Sequence, residues 1–284
     1  MKPIAFAALK EAVKKKTFIV MGIVTVLYLI LWAVILYSFH RYGPGGRDMD
    51  FNALATVMIT QMGLQFSSML ICLLTIMLGA GAIASELENG MVHAILSRPL
   101  GRTAYVIGKF TGLAVLTFMY ATVLYAALLL IGWMFSLVTV TTLTFAQILT
   151  GWFLFLLVPL TVLCLTVYGS VKLRVVPNGL LMIFIYILGN IGGMVEMIGN
   201  VMSSSSVVST GIFLSIISPF HTLFAAAERV LLPSAGFAGE IMRGFGGLTG
   251  SGRPASTAMY IYIAVYALGF LALAVRRFRK IDIN

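Results

Sequence analysis

Residues 84–109, ASELENGMVHAILSRPLGRTAYVIGK, form the longest polar interruption between hydrophobic spans on the basic side of the chain. Apolar residues recur in it at helical spacing, and polar residues fall on the opposite face: Leu87, Met91, Ala94 and Ile95 against Glu86, Asn89, His93 and Ser97. Pro99 ends the helix, because proline lacks an N–H and clashes with the preceding turn. The pattern predicts a short amphipathic helix along the bilayer surface, with its polar face toward a partner.

The composition surrounding this stretch is that of a membrane protein. Apolar residues make up 60% of the 284 residues and charged residues 10%, against about 45–50% and about 25% in soluble domains. The apolar runs reach the length of about 20 residues that spans a bilayer. We therefore predict an all-α polytopic membrane protein with a single transmembrane domain, 1–284.

Six spans are predicted from the apolar runs, at residues 18–39, 57–84, 105–134, 146–169, 178–198 and 257–275. Pro159 is expected to kink the fourth span, and 172–179 reads as a short basic turn. Segment 85–104 links spans two and three. Residues 199–256 are too broken for a full span, so they predict short re-entrant or interfacial helices followed by a glycine-rich outer loop. Residues 276–284 form a basic tail.

The distribution of charge predicts the orientation. With the N-terminus inside, fourteen of the 19 lysines and arginines lie in cytoplasmic segments, and the outer segments carry no net charge. Both termini are therefore predicted to be cytoplasmic. Residues 1–17 carry five lysines among apolar residues, which fits either an amphipathic interfacial elbow helix or a plain positive-inside signal. Because the excess charge is juxtamembrane, it indicates lipid headgroups rather than nucleic acid as its partner.

Catalytic and metal-binding patterns are not found in the sequence. His40, His93 and His221 fall in separate loops, Cys72 and Cys164 lie within spans, and neither an HExxH nor a nucleophile-elbow motif occurs. A Walker A sequence is also missing, so the chain is not expected to bind ATP itself. Glu196 is the one candidate intramembrane charge, and it fits either a residue of the transport pathway or a span-end carboxylate.

The same stretch resembles the signature of type-2 ABC transporter permeases, with Met91 and His93 as mild departures. The matching positions are Glu86, Glu88, Gly90, Leu96, Ser97, Pro99, Arg102, Gly108 and Lys109. The similarity extends over the whole chain, through the basic N-terminal segment, the six spans, the Ser218–Pro219 pair and the arginine-rich end. Within this family the chain resembles the permeases without a fused ATPase, including those of nitrous-oxide-reductase maturation.

This resemblance implies a non-catalytic transporter subunit, working as an exporter in a bacterial or archaeal plasma membrane. ATP and Mg would bind to a separate ATP-binding subunit present in two copies, and a second permease, identical or related, would complete the transporter. The implied ATPase-coupling residues are Glu86, Leu87, Glu88, Gly90, Met91, His93, Ile95, Ser97, Arg98, Pro99, Arg102 and Lys109. The two glutamates would pair with cations of the ATPase or of the elbow, and Arg98, Arg102 and Lys109 could contact phosphates.

Two other classes of function are weighed against the transporter. An intramembrane hydrolase or lipid-modifying enzyme would need paired polar groups at bilayer depth, and none is found in the sequence. A membrane anchor that recruits soluble proteins would not need a proline-kinked fourth span or a broken outer segment. The scarcity of charge in the spans favours a hydrophobic or amphiphilic cargo over a free ion, and the 16 methionines fit core packing better than copper binding.

Overall fold

A computed structural model describes residues 2–42, 49–90, 101–135, 137–232 and 257–280, and these residues form helices and short connections. The helices are α1 Lys2–Lys14, α2 Lys16–Tyr42, α3 Met49–Ala80, α4 Ala84–Glu88, α5 Arg102–Met134, α6 Val138–Thr141, α7 Phe145–Lys172, α8 Val175–Val201, α9 Ser205–Ile217, α10 Phe220–Leu231 and α11 Thr257–Arg279. In the described part of the chain six helical segments are long and apolar enough to cross a membrane. The predicted all-α fold with six spans is confirmed.

Helix α7 lies at the centre of the bundle. It packs against α3, α5, α8, α10 and α11, and its buried face includes Phe155, Leu163 and Val167. Its start is set by Thr144, whose backbone N–H donates to the side chain of Gln147 at 2.8 Å. The helix passes through Pro159 without ending. Four of the other five spans therefore pack directly on this one helix, and α2 packs on α3 and α5 instead.

Span two is interrupted near its end. Helix α3 stops at Ala80, residues 81–83 form a turn, and α4 follows, so that the span-length apolar segment runs from Ala55 to Glu88. Helix α4 ends after one turn, because Gly90 takes a left-handed φ of +69° that terminates a helix. Within the described residues, the helical pattern that begins at Glu86 is thus interrupted at Gly90. Residues 91–100, with the rest of that pattern, lie outside the described part of the chain.

The turn before span five is shorter than predicted. Only Leu173 and Arg174 separate α7 from α8, and the expected turn residues Pro177 and Asn178 belong to the first turns of α8. Proline is tolerated there, because the backbone N–H groups of a first helical turn have no partner within the helix. The extra helical turn places Asn178 inside the bundle, where its side chain is fully buried.

The segment after span five contains the break that the serines predict. Helix α8 ends at Val201, Ser203 has a positive φ of 52°, and α9 begins at Ser205. Helices α9 and α10 are bent by 102° across Ser218 and Pro219. Two short helices thus occupy the start of the region for which re-entrant or interfacial helices were predicted. Its glycine-rich part lies in residues 233–256, outside the described residues.

Candidate functional site

An ionic cluster joins α1, α4 and α5 at the end of the bundle predicted to face the cytoplasm. Lys109 on α5 donates to Glu11 on α1 at 2.8 Å and also pairs with Glu86 on α4. The Tyr105 hydroxyl donates to Glu86 as well. We call these four residues, Glu11, Glu86, Tyr105 and Lys109, the ionic junction. It connects three elements that are distant in sequence.

Burial makes Glu86 and Lys109 dependent on their partners in the ionic junction. Glu86 and Lys109 are each only 7% exposed. A buried ion is costly unless an opposite charge and hydrogen bonds replace its water. Glu86 has both in Lys109 and Tyr105, and the Tyr105 ring is held in turn by stacking on Phe278 at 5.3 Å between centroids. The cluster therefore fixes how α4 sits on α5 and the end of α11.

Close helix packing supports the contact between α1 and α5. Gly112 lies where the helices cross, and a Cβ placed on it would lie 2.4 Å from the Ala5 carbonyl oxygen. Only a residue without a side chain permits this approach. Glu11 reaches Lys109 because the backbones of α1 and α5 are this close. The predicted elbow helix is therefore docked on span three through the ion pair between Glu11 and Lys109 and through close packing of small and apolar residues.

Partial burial alone would raise the pKa of Glu11. The hydrogen bond and charge of Lys109, with a smaller contribution from Lys15, outweigh it and hold the pKa below its ordinary value of 4.5. A carboxyl whose pKa is lower in the folded chain stabilises the fold above its unfolded pKa, and this contribution is lost as the pH falls through the lower, folded value. Docking of α1 should therefore weaken in acid below about pH 4.5.

We expect an environment-sensitive fluorophore on a cysteine at the exposed Phe6 position of α1 to report this acid release in detergent or nanodiscs. Glu11→Gln has no carboxyl to titrate, so its α1 should be equally loose on both sides of the transition. The matched comparison is the same label with Glu11 intact. Identical pH profiles for the two proteins would contradict a role for Glu11 in docking.

Two further predicted residues hold other elements at the same end. Glu88 accepts a hydrogen bond from the Val175 backbone N–H at 2.9 Å, at the start of α8. Arg102 donates to the Arg279 carbonyl oxygen at 2.9 Å, at the end of α11.

Leu87 is half-buried against the apolar core. An open cleft of about 540 Å³ lies beside α4, lined by Ala84, Leu87, Glu88, Val171, Lys172, Leu173 and Arg174.

The predicted placement of Glu86 was wrong. Helical spacing put it on the exposed polar face, whereas the structure turns it inward onto Lys109. Lys109 contacts two carboxylates of its own chain, and its predicted contact with phosphates stays a prediction. Glu11 and Tyr105 were not among the predicted site residues. Two signals were present: Glu11 is the one acid among five N-terminal lysines, and Tyr105 precedes Lys109 by one helical turn.

The remaining predicted residues lie elsewhere. Glu196 is near the far end of α8, half-buried, with its backbone against Gly211 of α9. Met91, His93, Ile95, Ser97, Arg98 and Pro99 lie outside the described residues. Among the residues that the structure describes, no group of three or more His, Cys, Asp or Glu side chains is arranged to hold a metal ion.

The fold and the ionic junction define a class of protein: a multi-pass α-helical membrane protein whose short segment between spans two and three is fastened to three other elements. A family model described as ABC-2 family transporter protein matches residues 3–283, and the chain belongs to this family. It is thus a membrane permease subunit of an ABC transporter. A comparison with curated proteins finds no match.

Family membership also sets what the chain works with. ABC-2 permeases are the transport membrane component, generally non-catalytic, and membership implies a partner ATP-binding subunit. The ionic junction and the cleft both lie at the predicted cytoplasmic end, where such a partner would have access to the chain. The buried charges of the ionic junction are paired with one another.

Proposed function

We propose that this permease is the membrane half of an exporter, in which a separate ATPase docks at the cleft beside α4. The observation that carries the proposal is the cleft itself. It is open, it is bounded on one side by the segment between spans two and three, and Glu88, Lys172 and Arg174 place both signs of charge on its wall. Complementary charge gives a protein partner its orientation as well as its rate of association.

The ionic junction supplies the mechanical part of the proposal. ATP would bind to the ATPase with Mg, and closure of two ATPase copies would move α4 in each of two permeases, identical or related. Because Glu86 is bound to Lys109, movement of α4 would be passed to α5 and, through Glu11, to α1. ATP drives such a cycle only through its different affinity for the two states of the complex. We place the complex in a bacterial or archaeal plasma membrane.

An apolar groove supports a hydrophobic or amphiphilic cargo. It lies between α3 and α8, has a volume of about 300 Å³, and is lined by Gln65, Met69, Leu73, Ile76, Ile183, Tyr186, Ile187, Asn190, Ile191 and Met194. These lining residues include no Asp, Glu, Lys, Arg or His. Its polar groups include Gln65 and Asn190, whose side chains bond to each other at 3.1 Å. A free ion would find no charged ligand in this groove.

Co-purification from native membranes in mild detergent tests the docking proposal. The variant is the double reversal Lys172→Glu/Arg174→Glu, which inverts the basic wall of the cleft. We expect the ATPase to be recovered at equal stoichiometry with the wild type and at least about tenfold less with this variant, because like charges placed across an interface are repulsive. The matched control is Arg276→Glu/Arg277→Glu, which reverses two exposed cations at the end of α11 that do not line the cleft.

The control also tests insertion, since both variants remove two positive charges from the side predicted to be cytoplasmic. Loss of the ATPase from the cleft variant alone supports docking at the cleft. Equal recovery of the ATPase with both variants would show that it docks at a different surface. Recovery of the permease alone from wild-type membranes, under several gentle conditions, would overturn the proposed function.

A further inference from the structure

The three-residue turn between α3 and α4, residues 81–83, which we call the bend, interrupts span two and exposes backbone groups that need partners. The Ala82 N–H donates to the Gly79 carbonyl at 3.1 Å and the Ser85 hydroxyl donates to the Gly81 carbonyl at 2.6 Å, which leaves the carbonyl of Ala80, the last residue of α3, between them. This bend is fully buried: Ala80, Gly81, Ala82 and Ile83 are all shielded from solvent. A buried carbonyl without a donor is costly. The Ala80 carbonyl takes its donor from another element.

Asn178 is that donor. Its side chain is 0% exposed, and its Nδ2 donates to the Ala80 carbonyl at 3.4 Å and to the Thr166 carbonyl of α7 at 3.0 Å. One amide in the first turns of α8 thus links the end of α3 to the middle of the bundle. Both amide protons are used, since a side-chain amide has two of them.

Gly169 of α7 leaves the space that the Asn178 amide occupies. A Cβ placed on Gly169 would lie 2.0 Å from the Asn178 Oδ1, so the amide occupies space that any other residue at 169 would fill. The neighbouring glycine is different. A Cβ on Gly179 would meet only the Ala80 Cβ, at an ordinary 3.8 Å. Position 169 is therefore sensitive to an added methyl group, and position 179 is not.

A second contact holds α8 to the other side of the bend. Glu88 lies beyond the bend on α4, and it accepts a hydrogen bond from the Val175 N–H at 2.9 Å. Ala80 lies before the bend and is bound by Asn178. The first turns of α8 therefore bridge the bend. Helix α4 can rotate relative to α3 only if α8 moves with it or if one of these bonds breaks.

We infer that Asn178 is a positioning residue that holds the start of α8 against the bend between α3 and α4. Because of this contact, span five moves together with α4. The inference rests on the proposed function, because it needs an ATPase that moves α4. Its consequence lies in the groove between α3 and α8. A displacement of α8 relative to α3 changes the width of this groove. The Asn178 contact therefore links the movement of α4 to the space available for cargo.

The test uses the purified permease–ATPase complex with spin labels on cysteines at Met119 of α5 and Leu180 of α8, both exposed on the surface of the bundle. Cys72 and Cys164, the native cysteines, are replaced by alanine. We expect ATP with vanadate to change the distance between the labels in otherwise wild-type protein. In Asn178→Ala the population that shifts should fall about tenfold, the size expected from losing about two buried hydrogen bonds.

A cross-link distinguishes a contact that makes α4 and α8 move together from a contact that only stabilises the fold. A Cβ on Gly81 would lie 3.8 Å from the Val175 Cγ1, so Gly81→Cys and Val175→Cys are close enough for a trial cross-link between the turn that precedes α4 and the start of α8. If α4 and α8 move together, the cross-link leaves the ATP-dependent change intact and restores it in Asn178→Ala. If the cross-link abolishes the change in otherwise wild-type protein, α4 and α8 must separate, and the inference is overturned.

Three variants serve as matched comparisons. Gly169→Ala should reproduce the loss of Asn178→Ala, because it displaces the same amide from the opposite side, whereas Gly179→Ala should behave as wild type. Asn190→Ala removes another asparagine of α8 that contacts α3, through Gln65, and should retain the distance change. A normal distance change in both Asn178→Ala and Gly169→Ala would overturn the inference while leaving the proposed function standing. If wild-type complex shows no ATP-dependent change, the proposed function fails and the inference fails with it.

Discussion

Lys109→Met is expected to destabilise the permease by about 3–5 kcal/mol, the cost typical of removing one partner from a buried ion pair. The substitution keeps the length and apolar stem of the side chain but leaves the buried Glu86 without a cation. Glu11 loses its link to α5 at the same time. The free energy of unfolding in detergent, or the fraction of monodisperse protein after heating, measures the loss.

A double-mutant cycle distinguishes lost pairing from lost packing. Glu86→Gln/Lys109→Met has no buried charge left on either residue, so it should recover most of the stability that Lys109→Met alone loses. Lys15→Met is the surface comparison, because its ion pair with Glu11 is partly solvated and should contribute less than about 1 kcal/mol. If the Glu86 and Lys109 substitutions prove additive, the two side chains are not coupled and the ionic junction does not exist as described.

The number of spans and the break after span five could be predicted from the sequence. An apolar run of spanning length has one stable arrangement in a bilayer, a helix, because every backbone group needs a partner within the chain. Four consecutive serines from Ser203 to Ser206 compete with the helix for hydrogen bonds, and the structure breaks there. Both signals depend only on residues that are neighbours in the sequence, so they can be recognised without knowledge of the fold.

The inward turn of Glu86 could not be predicted from helical spacing. Periodicity assigns a carboxylate to the polar face because it assumes water as the only partner. The partner that reverses this preference, Lys109, lies 23 residues away on another helix, and Glu11 lies 75 residues before Glu86. The turn predicted around Pro177 was wrong for a related reason. It reads as a turn residue, but within the first turn of a helix its missing N–H has no cost.

Gly211→Val should separate α9 from α8, the second large effect that we expect. A Cβ on Gly211 would lie 2.5 Å from the backbone nitrogen of Glu196 and 2.7 Å from its Cα. A flexible side chain could move aside at such distances, but a helix backbone cannot without shifting the whole helix. Overpacking of this kind costs about 1–3 kcal/mol or more. Thermal unfolding in detergent measures it, and faster proteolysis between Val201 and Ser205 reports the opened hairpin.

Gly269→Val on α11 is the control, because a Cβ at that position meets nothing within 4 Å and the same β-branched side chain enters a helix. It should leave stability near that of the wild type, so the difference between the two variants isolates the contact between α8 and α9. The same contact places Glu196 at the hairpin, half-buried beside the backbone of α9. If Gly211→Val is as stable as Gly269→Val, α8 and α9 are farther apart than the structure places them. Glu196 is then open to the pathway role that its sequence position also permits.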